Sequence, residues 1–274
     1  MNLAADFSKP SIEYGLLSPM LIIFGVALVG VVVEAFVARR SRYLVQTVLS
    51  VVGVLGALVA TCIVASNLAP KGDTAGRGQI AVEGAVAIDG PTMFIWGTIL
   101  SLSLISVLLF AERHLEGGIT AFAGQAAALP GTAAEREAST QGIEHTEVFP
   151  LMMFSIGGML LFPASNDLLT MFVALEILSL PIYLLCGLAR RRRLLSQEAA
   201  LKYFMLSAFS SGFFLYGIAL TYGYAGSMNF GEIAEAVSGR IGGQALLLGG
   251  IGLLAVGLLF KVGAAPFHAW TPDI

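Results

Sequence analysis

Two ionisable residues lie inside runs that are otherwise apolar: Glu176 in LLTMFVALEILSLPIYLLCGL and Lys261 in LLLGGIGLLAVGLLFKVGAAPF. A charge near the middle of a bilayer costs at least about 2.5–3.5 kcal/mol, which makes each residue a candidate for ion or proton handling. The competing reading for both is a structural ion pair that fixes helix packing. Each charge is followed five residues later by a proline, Pro181 and Pro266. A proline has no N–H to give to the carbonyl four residues back, so the carbonyls of Ile177 and Val262 lose their helical partner beside the charge. Pro181, Pro266 and Gly263 are therefore read as helix breaks where polar groups and water gather next to an ionisable group. In lipid, that combination suits an ion or proton pathway.

The elements that must position these residues follow from composition. Of the 274 residues, 57% are hydrophobic and 12% charged, with a mean hydropathy of +0.84. Ordinary soluble domains carry about 25% charged residues, so the chain reads as an all-α, multi-pass transmembrane helical bundle. The net charge of −3 and the lack of a clustered basic face speak against nucleic-acid binding. Seven stretches are apolar and long enough to approach or exceed a bilayer crossing: 16–38, 44–66, 91–111, 148–163, 166–188, 197–224 and 243–265. The fourth is short and is expected to be shielded by its neighbours. Pro163 to Asp167 supplies the turn into the fifth span, with Asn166 or Asp167 as N-cap, which makes the fourth and fifth spans a tight antiparallel pair.

Basic residues are retained on the cytoplasmic side. With the N-terminus outside, the inner loops hold Arg39, Arg40, Arg42, Arg113, Arg136 and Arg190 to Arg193, against Lys9, Lys71, Arg77 and Arg240 outside. The four consecutive arginines are the strongest vote and read as a topology signal. The first span is too long for a signal-peptide core and its basic cluster follows it, so it stays as a helix. Two loops are long: 67–90, rich in glycine, and 112–147, which holds His114 and His145. The run Gly72 to Gly78 lacks the Lys-Ser/Thr ending of a phosphate loop and reads as a turn. Cys62 and Cys186 lie in apolar spans and read as buried small hydrophobes, with no metal site or disulfide framework. No dinucleotide fingerprint or nucleophile elbow occurs, so no catalytic residue is assigned and redox or hydrolytic chemistry is expected in another chain.

The sixth span adds Lys202, with Glu198 four residues before it in the favourable order for a helical ion pair. Lys202 lies near the cytoplasmic end of that span, where two readings stand: it snorkels to the interface, or it belongs to an interior pathway. Tyr203, Ser207 and Ser210 share one face, either a weakly polar interior stripe or ordinary helix–helix glue. His268 is either a group titrating near neutral pH or an interfacial residue beside Trp270. Glu34, near Arg39, reads as an interface residue.

Three runs of residues bear a family likeness: Leu175-Glu176-Ile177-Leu178-Ser179-Leu180-Pro181, Glu198 to Ser207 through Lys202-Tyr203, and Lys261 to Asp273 through Pro266-Phe267-His268 and Trp270. They resemble the antiporter-like membrane subunits of the proton-pumping NADH-quinone oxidoreductase, respiratory complex I, and subunit N in particular. The likeness is best from residue 148 onward, looser over the first three spans and absent from 112–147. Membrane subunits of multi-subunit sodium/proton antiporters share the Glu and the Lys.

The resemblance implies a mechanism in which Glu176 pairs with Lys261 and the lysine passes a proton along a hydrated axis at mid-membrane. Contact with a carboxylate favours the charged lysine and separation in a low-dielectric site favours the neutral one, so toggling the pair moves a proton. The resemblance favours the pathway reading of Lys202, as a connection to the cytoplasmic side, and includes His268 in the path. It implies about seven helices present of the about fourteen, arranged as inverted repeats, in the family. Residues 1–147 then form a three-helix membrane segment with a cytoplasmic loop, and 148–274 the first, incomplete part of the proton-translocating repeat. The stop after Thr271-Pro272-Asp273-Ile274 reads as a fragment lacking the eighth helix.

It further implies a bacterial cell (inner) membrane location, other membrane subunits of the complex as partners, and a role in coupling NADH-to-quinone electron transfer to proton translocation. No cofactor is expected in this chain: NAD, FMN, iron-sulfur clusters and quinone belong to other subunits. A sodium/proton antiporter subunit and a structural membrane scaffold are the alternatives.

Overall fold

The computed structural model describes residues 12–68, 78–112, 122, 132–134, 137, 145–189, 193–239, 243–268 and 270–273. Gly72 to Arg77, His114, Lys9, Arg113, Arg136, Arg190 to Arg192 and Arg240 lie outside the described residues. Among the described residues eight α-helices are defined in order: α1 Tyr14–Phe36, α2 Arg39–Leu68, α3 Gly90–Phe110, α4 Val148–Ala164, α5 Leu168–Leu188, α6 Arg193–Ala225, α7 Phe230–Gly239 and α8 Gln244–Val262. Six of them are long and apolar enough to cross a membrane. They are apolar on their outward faces as well as inside, with Leu28, Phe36, Val52, Phe94, Leu109 and Leu184 all exposed. That is the signature of helices whose surroundings are lipid or other helices. Cys62 belongs to the outer face of α2 and is exposed, which corrects its reading as a buried residue.

The fourth span becomes α4, 17 residues long and set in the middle of the bundle. It packs against α1, α2, α3 and α5, and Phe149, Met153, Ile156 and Leu160 belong to the main apolar core with Ile23, Val54 and Trp96. Trp96 is fully buried and its indole N–H donates to the carbonyl of Leu160 at 2.7 Å. A second core joins α5, α6 and α8 through Leu168, Leu175, Phe214, Ile218, Leu254 and Leu258.

The two parts meet where α4 lies against α5. A Cβ on Gly158 would stand 2.4 Å from the backbone nitrogen of Leu178, so only glycine lets the two backbones come this close. One turn away, Ser155 donates to the carbonyl of Leu178 at 2.7 Å. Asp167 is the N-cap of α5 as expected, its carboxylate accepting from the N–H of Thr170 at 2.7 Å.

The 67–90 loop, read as irregular, holds an antiparallel hairpin of β1 Gly78–Ala81 and β2 Val86–Asp89. Val86 and Ile88 face the bundle core. The turn at Val82 to Ala85 is held by Asn166, whose backbone N–H donates to the Ala85 carbonyl at 2.9 Å and whose amide donates to that of Gly84 at 2.8 Å. The strands are too short for their alternation to register as a pattern. α7, between the sixth and seventh spans, is also additional to the expected elements. It lays Ile233 on the second core and leaves Glu232 and Glu235 on its other side.

At the opposite end of the bundle, Glu34 accepts from Arg42 at 3.2 Å and from the fully buried Gln46 at 2.7 Å. Glu34 thus clips α1 to α2 through Arg42 and Gln46 and not through Arg39. Just before α4, the His145 ring lies 2.9 Å from the carboxylate of Glu147. That hydrogen bond holds Glu147 below its ordinary value of 4.5.

Two expectations follow. Gly158→Ala should destabilise the protein by about 1–3 kcal/mol, the usual cost of overpacking, seen as a lower melting temperature in detergent. Gly97→Ala, where a Cβ meets nothing within 4 Å, should not. A depressed carboxylate contributes stability that is present above its ordinary value and is lost as pH falls through the folded value. His145→Ala should therefore lower the melting temperature at about pH 6 and have little effect at about pH 2.5.

Candidate functional site

Lys261 sits in the last turn of α8, and its side chain runs back between α5 and α6. Its ammonium donates to Ser179 Oγ of α5 at 2.6 Å and to Ser207 Oγ of α6 at 2.8 Å, with the Tyr183 hydroxyl 3.5 Å away. Ser179 and Ser207 are fully buried and Tyr183 nearly so. The Tyr183 hydroxyl itself donates to Ser207 Oγ at 2.5 Å, and Ser179 donates to the Leu175 carbonyl. The lysine also stands 6.0 Å from the centroid of the Tyr183 ring, at the edge of cation–π range.

Glu176 lies on the same face of α5, three residues before Ser179 and seven before Tyr183. Its carboxylate accepts from Ser211 of α6 at 2.5 Å, the length of a charge-assisted O–H bond. Among the described ion pairs there is none between Glu176 and Lys261; each charge is held by hydroxyls. α5, α6 and α8 thus bring the two sequence-picked charges to one polar cluster without joining them. Ser207 comes from the stripe anticipated on α6, and Ser210 of that stripe is also buried and faces the Gly257 carbonyl.

The other expected members do not enter this cluster. Lys202 pairs with Glu198 at 2.8 Å, as its spacing anticipates, but on an exposed face of α6. His268 is exposed, and its backbone carbonyl accepts from Thr271. One of the expected helix breaks is corrected. α5 runs through Pro181 without interruption, since neighbouring helices can supply partners to a proline-freed backbone. α8 ends at Val262, short of residue 265, and Pro266 lies in the turn beyond it.

The break occurs at Gly263, left-handed at φ 68°, where its N–H bonds to the Phe260 carbonyl and that of Ala264 bonds to Leu259. The chain then folds back, so that Trp270 donates to the Phe260 carbonyl at 3.2 Å and stacks on Tyr203 and Phe260. Tyr203 in turn meets the Tyr183 ring edge-on. Aromatic rings thus wall the lysine's seat. Sequence reading missed Ser179, Tyr183 and Ser211, whose signal is their spacing from Glu176 and Ser207 along two helix faces.

The family described as NADH:quinone oxidoreductase/Mrp antiporter, TM, matches residues 165–274, the part that carries this cluster. The chain is 69% identical over 269 residues to the NADH-quinone oxidoreductase subunit N of Nocardioides sp., covering 98% of this chain and 50% of that protein. The resemblance is to subunit N. The chain spans about half the length of the curated relatives it matches. Among solved structures, a chain of respiratory complex I from Thermus thermophilus with bound aureothin is 29% identical at a TM-score of 0.65, over 93% of this chain and 46% of that one. A chain of the Mrp complex from Dietzia sp. matches at 19% identity and a TM-score of 0.64, over 92% of this chain and 42% of that one, which shows a shared fold. This chain is a multi-pass membrane protein with the fold of a respiratory-complex membrane subunit.

Because Gly263 holds a left-handed conformation and a Cβ there would stand 2.8 Å from Thr271 Oγ1, Gly263→Ala should cost about 1–2 kcal/mol. A melting temperature equal to the parent's would show that the cap is not a constraint.

Proposed function

We propose that the chain is part of subunit N of a bacterial NADH-quinone oxidoreductase, and that Glu176 and Lys261 are its proton-handling pair. The supporting observation is the cluster in which a partly buried ammonium and a partly buried carboxylate, both within membrane-spanning helices, are held on hydroxyls of the same helices. A lysine so seated can exchange its proton without leaving a buried donor unanswered, and the nearby carboxylate biases that exchange. Lys202 remains in the proposed path as the group joining the cluster to the cytoplasmic side, His268 remains in it as a further titratable group, and Gly263 and Pro266 open the backbone beside the lysine.

On this reading the subunit spans the bacterial cell membrane with its N-terminus outside, and residues 148–274 contribute to the proton-translocating repeat. Its partners are the other membrane subunits of the complex. It holds no redox cofactor: NAD, FMN, iron-sulfur clusters and quinone act elsewhere in the assembly, and electron transfer there drives translocation here.

The test uses the assembled complex in inverted membrane vesicles. Glu176→Gln and Lys261→Ala, placed in the whole subunit, are expected to reduce NADH-driven proton uptake by at least about tenfold, the range of an essential proton-transfer group. Normal uptake in correctly assembled variants would sink the proposal. Proton flux that depends on sodium and ignores NADH would point to the antiporter reading instead.

A further inference from the structure

A charged lysine has three N–H donors and no acceptor; a neutral one has two donors and one lone pair. Around Nζ of Lys261 stand three hydroxyl oxygens, those of Ser179, Ser207 and Tyr183, and none of them is an anion. We propose that Ser179, Tyr183 and Ser207 are positioning residues forming an amphoteric seat that holds Lys261 apart from Glu176 in both of its protonation states. Ser211 gives Glu176 the matching neutral seat. The inference rests on the reading of Glu176 and Lys261 as a proton-handling pair, and adds what keeps the two from collapsing onto each other.

The chemistry of the hydroxyl is what makes the seat work. Toward the ammonium, all three oxygens accept. Toward the neutral amine, Ser179 and Ser207 still accept the two remaining N–H bonds. The Tyr183 hydroxyl turns its proton from Ser207 to the lone pair of Nζ. Neither state strands a buried donor or acceptor, a fault that costs about 1–3 kcal/mol. An ionised carboxylate offers only acceptors and serves only the charged lysine. The seat is also built stiffly. Ser179 and Ser207 are 0% exposed, and the Tyr183 ring is caught edge-on between Tyr203 and Phe204, with centroids at 4.8 and 5.6 Å.

The experiment again uses the assembled complex in inverted membrane vesicles, reading NADH-driven proton uptake. The double variant S179A/S207A is expected to pump about tenfold more slowly, the factor that accompanies the loss of hydrogen bonds to a charged group. S179T/S207T restores both hydroxyls and is expected to recover most of the parent's rate, which a role in packing alone would not produce. Tyr183→Phe keeps the ring and removes one oxygen, and it carries the test if the double alanine variant does not assemble; slower pumping is expected. Alanine and phenylalanine variants that pump like the parent would overturn the seat, as would threonine variants as slow as the alanine ones. Lys261→Ala pumping at the parent's rate would instead overturn the prior reading of the pair.

Discussion

An ammonium placed among apolar helices must have its N–H bonds answered, and the lower half of this bundle is arranged around that requirement. Ser179 and Tyr183 come from α5, Ser207 from α6 and Lys261 from α8, so the three helices are pinned to one rotation about their axes. Turning any of them by a third of a revolution would leave a buried donor unpaired. The apolar contacts of Leu175, Phe214 and Leu258 fill the space between the same helices, and the hydroxyls add a directional requirement to that packing.

The same requirement explains the end of α8. A helix continuing past Lys261 would carry the chain away from the cluster. Gly263 stops it and returns Trp270 to lie on Tyr203 and Phe260, which fills the space beside the lysine with ring carbon. The lysine therefore keeps an interior dielectric even though it lies one residue from the end of its helix. α4 performs a comparable service from the other side. Its bare backbone at Gly158 brings it against Leu178, so that α5 is anchored to the four-helix core while its opposite face carries Glu176, Ser179 and Tyr183.

The helices and the two charges were legible in the sequence because each is conspicuous by itself: a long apolar run, and a charge within it. The ion pair Glu198–Lys202, the Asp167 cap and the shielding of the short fourth span were legible too, each set by spacing or length. The seat was not. Serine and tyrosine are ordinary residues in membrane helices, and their meaning depends on which faces three separate helices turn toward one another. The hairpin and α7 escaped because four-residue strands and a ten-residue helix are too short to establish a period. Pro181 misled for the converse reason: its local effect is certain, but whether the helix breaks depends on the helices packed around it, which the sequence places far away.

The spacing of the charges is itself an energetic statement. Direct contact between a carboxylate and an ammonium in a low-dielectric interior strongly favours the two charged forms, and a pair fixed in that state would not exchange a proton. For exchange to be possible, the parted arrangement must lie close in free energy to the joined one, which requires neutral partners for both charges. Here α6 supplies a partner to each: Ser207 to the lysine and Ser211 to the glutamate, four residues and therefore about one helical turn, or about 5.4 Å, apart. α6 thus acts as a spacer whose rise sets how far apart the charges rest. A displacement of this one helix along its axis would move both seats together, while the glutamate's anchor on α5 and the lysine's on α8 stayed in place. Such a displacement of α6 would therefore disturb the hydrogen bonding of both charges at once, which couples the two seats through a single rigid element.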